Sequence, residues 1–432
     1  MKQKRITWLQ CIILLAVLVS GTCFLASNAD ATNGDNLMAV GPIARAMGGV
    51  GIAAPQDALS AVFSNPAAMC FGPYCPGSEV NVDATLFMPS AHTKIKVNAM
   101  GIDTGWERSD SDMYLIPALA VSLPITDRLR FGFAGYGVSG LGVDYRHKFD
   151  LDPTQKGDQD IYTDLSIMKI APNLAYMITP NFSVGASLHI DMGVLDMGYK
   201  DGTSTGWGVG GQLGAIYKTG PVSLGLVYVT PQKIKHEGVA DFDGHPLFNP
   251  AGLGADDLTL ESPQSLGFGI AYEPILQVLL IEVNTKWINW SDAEGYEDFD
   301  WRDQWVFSIG AQYKPIPKLA LRAGFNYGRN PVEEHDDWDG NGSVNVQGKH
   351  VGRLNYEILR ITGFPAVVEK HITAGIGYEI TKTISLNIGY THAFEEEIKE
   401  KGSFNAGGGS LPVSVASTLK EDSVDFGLTW RF

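Results

Sequence analysis

From about residue 80 onward, apolar and polar residues alternate with a period of two. The last such segment shows the pattern most fully: one face holds Val424, Phe426, Leu428, Trp430 and Phe432, and the other holds Asp425, Gly427, Thr429 and Arg431. Period two is the repeat of a β-strand whose faces meet different surroundings. Aromatic residues recur at the ends of the apolar faces, which is typical of membrane barrels and unusual for soluble sandwiches. The pattern predicts an all-β fold, a transmembrane antiparallel β-barrel.

About fourteen segments alternate in this way, an even number, as closure by antiparallel pairing requires. They span residues 80–93, 113–123, 129–138, 165–178, 181–197, 206–218, 222–233, 263–273, 276–290, 303–314, 319–330, 369–380, 383–397 and 417–432. The chain ends on Phe432, in phase with Phe426 and Trp430. This ending resembles the C-terminal signal that the barrel-assembly machinery recognises, so that machinery is an expected partner.

The connections between these segments alternate between short and long. The short ones contain most of the turn prolines and lie at 124–127, 179–180, 219–221, 273–274, 314–317 and 381–382. The long ones cover 94–112, 139–164, 234–262, 332–368 and 400–416. Proline ends strand pairing and favours turn geometry. Outer-membrane barrels have short periplasmic turns and long outer loops, so we expect a bacterial outer-membrane location, among lipid and lipopolysaccharide.

Residues 1–31 have the features of a cleaved signal peptide. Three positive charges lie within the first five residues, an uncharged apolar stretch covers 12–18, and Ala29-Asp30-Ala31 offers an A-x-A cleavage site. The apolar run is too interrupted to be a membrane anchor, which needs ~20 such residues. We expect the mature chain to consist of an N-terminal segment, residues 32–78, and a barrel, residues 79–432.

Composition and charge narrow the functional classes. The chain has 50 Gly, 10% aromatic residues and a mean hydropathy of −0.01, the average expected when lipid-facing and lumen-facing residues alternate. Its formal net charge is −16. An acidic chain argues against nucleic acid as a partner, because that binding needs Lys and Arg to neutralise phosphates.

Two cysteines remain after signal removal, Cys70 and Cys75. An even pair close in sequence in an exported protein favours a disulfide that closes a small loop. The alternative is a metal-binding or reactive thiol pair, but no second Cys or His pair lies near enough to complete a zinc site.

The segment before the barrel does not alternate. It is rich in small residues: Gly41, Ala44, Ala46, Gly48, Gly49, Gly51, Ala53 and Ala54. Asp57 can cap a short helix over residues 58–63, and Pro66 forces Asn65 out of helical geometry. Glycines on the inward faces of the strands leave room for such a segment: Gly206, Gly208, Gly210, Gly214, Gly324, Gly375 and Gly377. We expect a small, partly helical hatch inside the lumen; the alternative is a periplasmic tail without a gating role.

These residues also carry a family resemblance. The stretch 44–49, followed by Asp57-Ala58 and by Asn65-Pro66-Ala67, resembles the N-terminal hatch of the FadL/TodX family of hydrophobic-compound transporters. Segments 287–291 and 319–332 are similar to strands of that family, and the likeness covers nearly the whole mature chain. The resemblance implies that an apolar ligand binds near the outer surface, shifts the hatch at Asn65, Pro66 and Ala67, and leaves sideways at a kinked third strand. The loop between the two cysteines is a departure from the family pattern.

The third strand offers independent support for a kink. Leu129, Phe131 and Phe133 share one phase, whereas Tyr136 and Val138 fall in the other. A bulge near Ala134 and Gly135 would restore the faces, and Gly135 and Gly137 would permit it. The alternative is a glycine-rich strand without a functional kink.

Other motifs give weaker evidence for a functional site. Asp337, Asp339 and Asn341 form the opening D-x-D-x-N-G of a calcium loop, but Gly348 stands where its bidentate Glu belongs, so we favour a solvated acidic turn and keep calcium as the alternative. A G-x-G-x-x-G match at 206–211 lies in an alternating strand, which excludes a dinucleotide loop. The nine His are scattered and form no H-E-x-x-H, so we expect no enzyme.

The resulting hypothesis is outer-membrane transport of hydrophobic small molecules, long-chain fatty acids or hydrocarbons, by a monomer without a cofactor. A non-specific porin is the main alternative; it would lack a folded plug and would conduct ions freely. An adhesin or structural barrel is a third class, which would bind a partner through the long loops and take up no small molecule.

Overall fold

A computed structural model describes residues 32–73, 75, 77–149, 161–198, 203–240, 255–405 and 409–432; the predicted signal peptide lies outside them. Fourteen long strands of this described part form the barrel wall. They are β1 (Glu79–Val97), β2 (Tyr114–Pro124), β3 (Leu129–Asp144), β4 (Tyr162–Thr179), β5 (Phe182–Asp196), β6 (Thr203–Thr219), β7 (Val222–Val229), β8 (Ser265–Ile275), β9 (Leu279–Ile288), β10 (Gln304–Ile316), β11 (Leu319–Gly328), β12 (Lys370–Glu379), β13 (Ile384–Asn405) and β14 (Ser410–Arg431).

The strands pair antiparallel in chain order, and the ring closes where β14 returns to β1, from Val413 opposite Val97 to Arg431 opposite Glu79. The predicted fourteen-stranded barrel is confirmed, and each predicted segment overlaps one strand. Residues 400–416 are an exception to the predicted loops, because most of them extend the β13–β14 hairpin. On the β13 side of that extension polar residues and glycine predominate, so apolar alternation does not reveal it there. On the β14 side the alternating run is short, with Leu411, Val413 and Val415 on one face.

The outward face of the wall is apolar. Large exposed side chains recur at alternate positions, for example Trp207, Val209, Leu213, Phe307, Ile309 and Phe426. Such a surface is suited to lipid, because water would make its exposure costly. No helix in the described residues is long and apolar enough to cross a membrane.

The described residues of the segment 32–78 lie against the inner face of this wall. They contain two short paired strands, Thr32–Asn33 and Asn36–Leu37, the helices α1 (Pro42–Arg45) and α2 (Ala58–Ser64), and a 3₁₀ helix, Pro66–Cys70. Asp57 caps α2 by accepting a hydrogen bond from the Ser60 amide at 2.9 Å, and Asn65 ends it with an extended backbone, as the sequence predicts. We call residues 32–78 the hatch.

The outer end of the barrel carries a folded cap made from the long connections. Its strands are Ile102–Asp103, Glu107–Arg108, Gln232–Ala240, Asp256–Ser262, Asp336–Asp339, Ser343–Val346 and Lys349–Gly352, and its helical turns are Asn98–Met100, Trp290–Asp292, Glu297–Phe299, α3 (Arg353–Ile358) and Leu359–Gly363. Trp290, Tyr296 and Trp301 pack with ring centroids 4.7–4.9 Å apart at its centre.

Candidate functional site

Asn65 connects the hatch to two strands of the wall. Its side-chain amide donates to the carbonyl oxygens of Ile52 at 2.8 Å, Ala215 at 3.2 Å and Leu226 at 3.3 Å. Its side-chain oxygen accepts from the Ala67 amide at 3.1 Å. The side chain is fully buried. One primary amide thereby both shapes the Asn65-Pro66-Ala67 turn and fixes it between β6 and β7.

Carboxylates of the wall satisfy backbone N–H groups of the hatch. Glu282 on β9 accepts from Gly51, Ala53 and Ala54 at 3.0, 2.8 and 3.1 Å. Glu79 on β1 accepts from the Ala58 amide at 2.7 Å, at the N-terminus of α2. Buried backbone donors need such partners, because each unsatisfied one costs about 1–3 kcal/mol. The hatch is therefore held by matched polar groups as well as by packing.

Glycines of the wall provide the close approach that these hydrogen bonds need. A Cβ added at Gly214, Gly225 or Gly324 would lie 2.0–2.2 Å from hatch atoms, so only glycine fits there. The prediction that all inward glycines make room for the hatch is wrong in part. A Cβ at Gly206, Gly208 or Gly210 would instead meet residues 230–235, because that cap segment folds over the inner face of β6.

A cavity lies between the hatch, the wall and the cap. Its apolar lining consists of Leu37, Met38, Ile52, Phe63, Tyr136, Val138, Val227, Val229, Ile288 and Val306. The hatch supplies the first four and the wall supplies the rest. Apolar walls with a few convergent polar groups are typical of small-molecule sites. A ligand in this cavity would touch the hatch directly.

Two lysines bring positive charge to the cavity. Lys169 on β4 is buried, donates to Gln232 at 2.7 Å and lies 3.7 Å from the carboxylate of Asp191. Lys286 on β9 also lines the cavity, and within the described part of the chain its ammonium has no hydrogen-bond or ion-pair partner. An ammonium without a counter-ion in such a site favours an anionic ligand group.

The third strand is irregular, but not where the sequence predicts. Ala134 and Gly135 pair regularly with β4, and the register shifts between Gly137 and Ser139, leaving Val138 as the extra residue. Tyr136 keeps its inward phase because its ring packs edge-on against Phe63 of the hatch, with centroids 5.4 Å apart. The predicted bulge position is therefore wrong by a few residues, and the face change follows Tyr136.

Pairing between β2 and β3 stops at the same level. It runs from Pro124 opposite Arg130 to Ala118 opposite Tyr136, and β3 continues beyond it without β2. Ile116 fills the space beside β3: a Cβ added to Gly137 would lie 2.7 Å from its Cγ2. Since Tyr136 and Val138 also line the cavity, the cavity reaches the wall at this interruption.

The start of the hatch completes this part of the wall. Asn36 pairs with Ser139, and the Asp35 carbonyl accepts from the Gly140 amide at 3.3 Å. The Asp35 carboxyl accepts from the hydroxyls of Ser139, at 2.8 Å, and of Tyr296 in the cap. Burial raises the pKa of Asp35 to about 6, although both hydroxyl hydrogen bonds oppose the shift. One carboxyl thus joins hatch, bulged strand and cap.

A second, smaller pocket lies within the cap. It is lined by Leu141, Leu165, Leu260, Tyr296, Phe299, Trp301, Arg360 and Phe364. Arg360 belongs to a buried ionic network with Glu357, at 3.1 Å, and Glu400. His335 and Arg353 also contact Glu357; although burial opposes it, the His335 hydrogen bond and the Arg360 charge lower the pKa of Glu357 to about 2. This network holds α3 against the extended β13–β14 hairpin.

The two cysteines are both free thiols, so the predicted disulfide is not formed. Cys70 is buried at the end of the 3₁₀ helix, and the Cys75 thiol instead donates to the Met69 carbonyl at 2.8 Å. Burial, reinforced by the neighbouring Cys75, raises the pKa of Cys70 to about 12, which keeps it protonated and unreactive.

The predicted calcium turn has a structural role. Asp339 accepts from the Asn341 amide at 3.0 Å, and the Asn341 side chain donates to and accepts from the Asn405 backbone at 3.0 and 2.8 Å. Asp337 has a positive φ of 57°. The carboxylates and imidazole that converge within metal-binding distance in the described residues are those of His335, Glu357 and Glu400, where arginines already supply the cations. Calcium binding at Asp337, Asp339 and Asn341 stays a prediction.

Sequence reasoning missed the charged groups that face inward. Glu282 and Lys286 lie on the inward face of one strand; Glu282 is flanked by the apolar Ile281 and Val283, and Lys286 by Thr285 and Trp287. A charge in the inward phase of an otherwise apolar strand is the signal that could have found them. The hatch amides that Glu282 binds and most residues of the cavity that Lys286 faces come from distant parts of the chain, so the pattern alone could not assign a role.

Comparison with protein families matches residues 24–201 and 193–338 to the outer membrane protein transport protein family, OMPP1/FadL/TodX. A search of the curated proteins gave no match.

Solved structures share the fold over nearly their whole length. The P. putida toluene transporter TodX has a TM-score of 0.64 and 18% identity, covering 91% of this chain and 99% of that one. A Pseudomonas aeruginosa FadL homologue has a TM-score of 0.65 and 16% identity, covering 92% and 99%. The Ralstonia pickettii toluene transporter TbuX has a TM-score of 0.60 and 17% identity, covering 91% and 99%. At these identities the likeness concerns the fold.

Proposed function

The chain belongs to the OMPP1/FadL/TodX family of outer membrane transport proteins, and we propose that it carries long-chain fatty acids. These ligands bind in the central cavity and leave through the wall beside β3. Transport of hydrophobic compounds across the outer membrane is the general function; the ligand class and the route are the proposal. The observation that carries it is an apolar cavity with an unpartnered ammonium, Lys286, that opens towards the interrupted pairing of β3.

The choice of a fatty acid over a neutral hydrocarbon rests on charge. Lys286 is half-buried, and an ammonium partly removed from water is costly without a counter-ion, so a ligand carboxylate near Lys286 would lower that cost. The alkyl chain would take the apolar part of the lining, which both hatch and wall provide. Toluene, the compound in the names of two structural relatives, would fill the apolar part and leave Lys286 without a partner.

The route follows the order of the sites. The cap pocket, apolar except for Arg360 and the Tyr296 hydroxyl, takes the ligand from the lipopolysaccharide layer. The central cavity receives it next, where Met38, Ile52 and Phe63 of the hatch are in contact. Movement of the hatch then frees the space at Val138 and Ile116, and the alkyl chain passes between β2 and β3 into the membrane. No continuous water channel is required, because the ligand moves from one apolar site to the next.

Uptake assays test this proposal directly. A bacterial host without its own fatty-acid transporter should take up labelled oleate faster when it displays this protein, and labelled toluene should gain much less. Lys286→Met should lower oleate uptake about tenfold, the cost of roughly 1.4 kcal/mol, without changing toluene uptake. Lys382→Met, an exposed turn lysine, is the matched control.

Equal gains for both compounds, or an unaffected Lys286→Met variant at equal surface levels, would point to a hydrocarbon transporter instead. No uptake of either compound together with steady ion conductance would favour the porin.

A further inference from the structure

The beginning of the hatch is bound at a fixed place in the wall. Thr32 is 1% exposed, and its backbone nitrogen donates to Glu421 Oε2 at 3.2 Å while its hydroxyl donates to Oε1 at 3.4 Å. Glu421 faces inward from β14 and is 2% exposed. Thr32 also pairs with Leu37, so the strand turns back on itself there. The first residue that follows the predicted signal peptide is therefore enclosed by the barrel.

The neighbouring inward positions of β14 hold the next part of the hatch. Ser423 accepts from the Arg45 guanidinium at 2.7 Å, and Asp425 forms an ion pair with it at 2.9 Å. Three successive inward residues thus contact the hatch, and the guanidinium is matched to Asp425. Among the described residues, His371 on β12 also brings a basic group near Glu421, with its Nε2 at 3.9 Å from the carboxylate.

Ala29-Asp30-Ala31 places a signal-peptidase site directly before Thr32. Hydrolysis of the Ala31–Thr32 bond breaks the carbonyl C–N bond; water gives its hydroxyl to the Ala31 carbonyl carbon and a proton to the Thr32 nitrogen. At neutral pH the new carboxyl group loses a proton and the new amine takes one up. We propose that the α-ammonium released at Thr32 is bound by Glu421 as a buried ion pair, so that signal removal completes the anchoring of the hatch.

The physical reason is the difference between an amide and an ammonium. A peptide N–H offers Glu421 one neutral hydrogen bond, whereas an α-ammonium offers a positive charge and three donors. A carboxylate that is enclosed by protein gains most from a partner of full charge.

Mass spectrometry of the purified protein and the labelling rate of its N-terminal amine test the inference. The mature chain should begin at Thr32; a start at Asp30 or elsewhere overturns the proposal. Reductive methylation modifies only the uncharged amine, so an ion pair that raises the amine pKa slows the reaction at neutral pH. Glu421→Gln should speed labelling of Thr32 about tenfold or more at pH 7, and Glu395→Gln, an exposed carboxylate on β13, should not.

The pH dependence separates charge from simple enclosure. The ordinary α-amino pKa is about 8, and Glu421 would raise it, so the ion pair is fully present below that pH and lost above the raised value. The ratio of labelling rates between Glu421→Gln and the wild type should therefore fall towards one above about pH 10. A ratio that stays the same at every pH means a neutral contact only and overturns the proposal.

A variant with Gly-Gly inserted between Ala31 and Thr32 gives a second, independent measurement. It moves the ammonium away from Glu421, so its amine should label fast whether or not Glu421 is replaced. If Glu421→Gln still speeds labelling of the extended chain, the carboxylate acts on something other than the amine.

Discussion

At the scale of single residues, the hatch depends on side chains that satisfy several backbone groups at once. Asn65 is the strongest case, because its amide serves three carbonyl oxygens and its oxygen serves the Ala67 amide. Asn is the shortest side chain that carries two N–H donors beside a carbonyl acceptor. Replacement therefore removes the turn and its wall contacts together.

We expect Asn65→Ala to loosen the hatch by about 1–3 kcal/mol, the cost of leaving buried carbonyls unsatisfied, and to reduce uptake of labelled oleate. Barrel assembly should not change, since the strands keep their pairing. Uptake is compared at equal surface levels with Asn98→Ala, an exposed loop residue. Wild-type uptake by the Asn65 variant would show that this amide has no part in gating.

Asp35 should make docking of the hatch start depend on pH. Burial raises its pKa from 3.8 to about 6, so the folded protein binds this proton more tightly than the unfolded chain. The stabilisation is fully present below about pH 4 and is lost as pH rises through about 6, a change of about 3 kcal/mol. Hydrogen exchange of the amides of residues 33–40 should therefore quicken from pH 4 to pH 7 beyond its intrinsic rate.

Asp35→Asn should remove that extra pH dependence, because the amide cannot titrate. Asp103→Asn, in an exposed part of the cap, should leave it in place. An Asp35→Asn protein with the wild-type pH profile would assign the dependence to another group.

At the scale of elements, the exit proposed above lies at the interruption of β3. Gly135 and Gly137 lie on either side of Tyr136, yet their surroundings differ. A Cβ at Gly135 would have open space around it, whereas one at Gly137 would meet Ile116. The two glycines therefore form a matched pair, in which one change fills the space beside the bulge and the other does not.

Gly137→Leu should push Ile116 aside and fill the space between β2 and β3, so we expect oleate uptake to fall severalfold. Gly135→Leu adds the same side chain towards lipid and should leave uptake close to the wild type. Binding of oleate in detergent should persist in both variants, because the cavity remains. Equal effects of the two substitutions on uptake would exclude this opening as the exit.

The sequence reveals the elements better than the site. Alternation identifies all fourteen strands, and Asp57 and Asn65 predict both ends of α2, because these signals are local. The bulge is misplaced because Tyr136 is held inward by Phe63, a contact between residues 73 positions apart. Likewise Glu282 and Lys286 look alike as inward charges, and only the fold shows that one binds the hatch and the other faces the cavity.

At the scale of the whole molecule, a fourteen-stranded wall encloses a wide lumen that packed residues must fill if ions are not to pass. The described hatch residues contact strands around most of the ring. They pack closely on Gly214 of β6, Gly225 of β7 and Gly324 of β11, and they bind polar groups on β1, β9 and β14. In the mechanism proposed above, transport of an apolar ligand and exclusion of ions are compatible only while these contacts hold. A protein of this design should combine uptake with low conductance.

Planar-bilayer recording checks that combination. The wild type should show little steady conductance, whereas Glu282→Ala leaves the amides of Gly51, Ala53 and Ala54 without an acceptor and should produce frequent, brief openings. Glu273→Ala, at the short-turn end of β8, removes a carboxylate of the wall that the hatch does not use, and should stay closed. If the wild type itself conducts steadily, the hatch does not seal the lumen and the porin becomes the better description. If Glu282→Ala stays closed while Asn65→Ala loses uptake, sealing and gating are separate properties. Packing of the hatch on the wall glycines is then sufficient for sealing, and the Asn65 turn is responsible for gating.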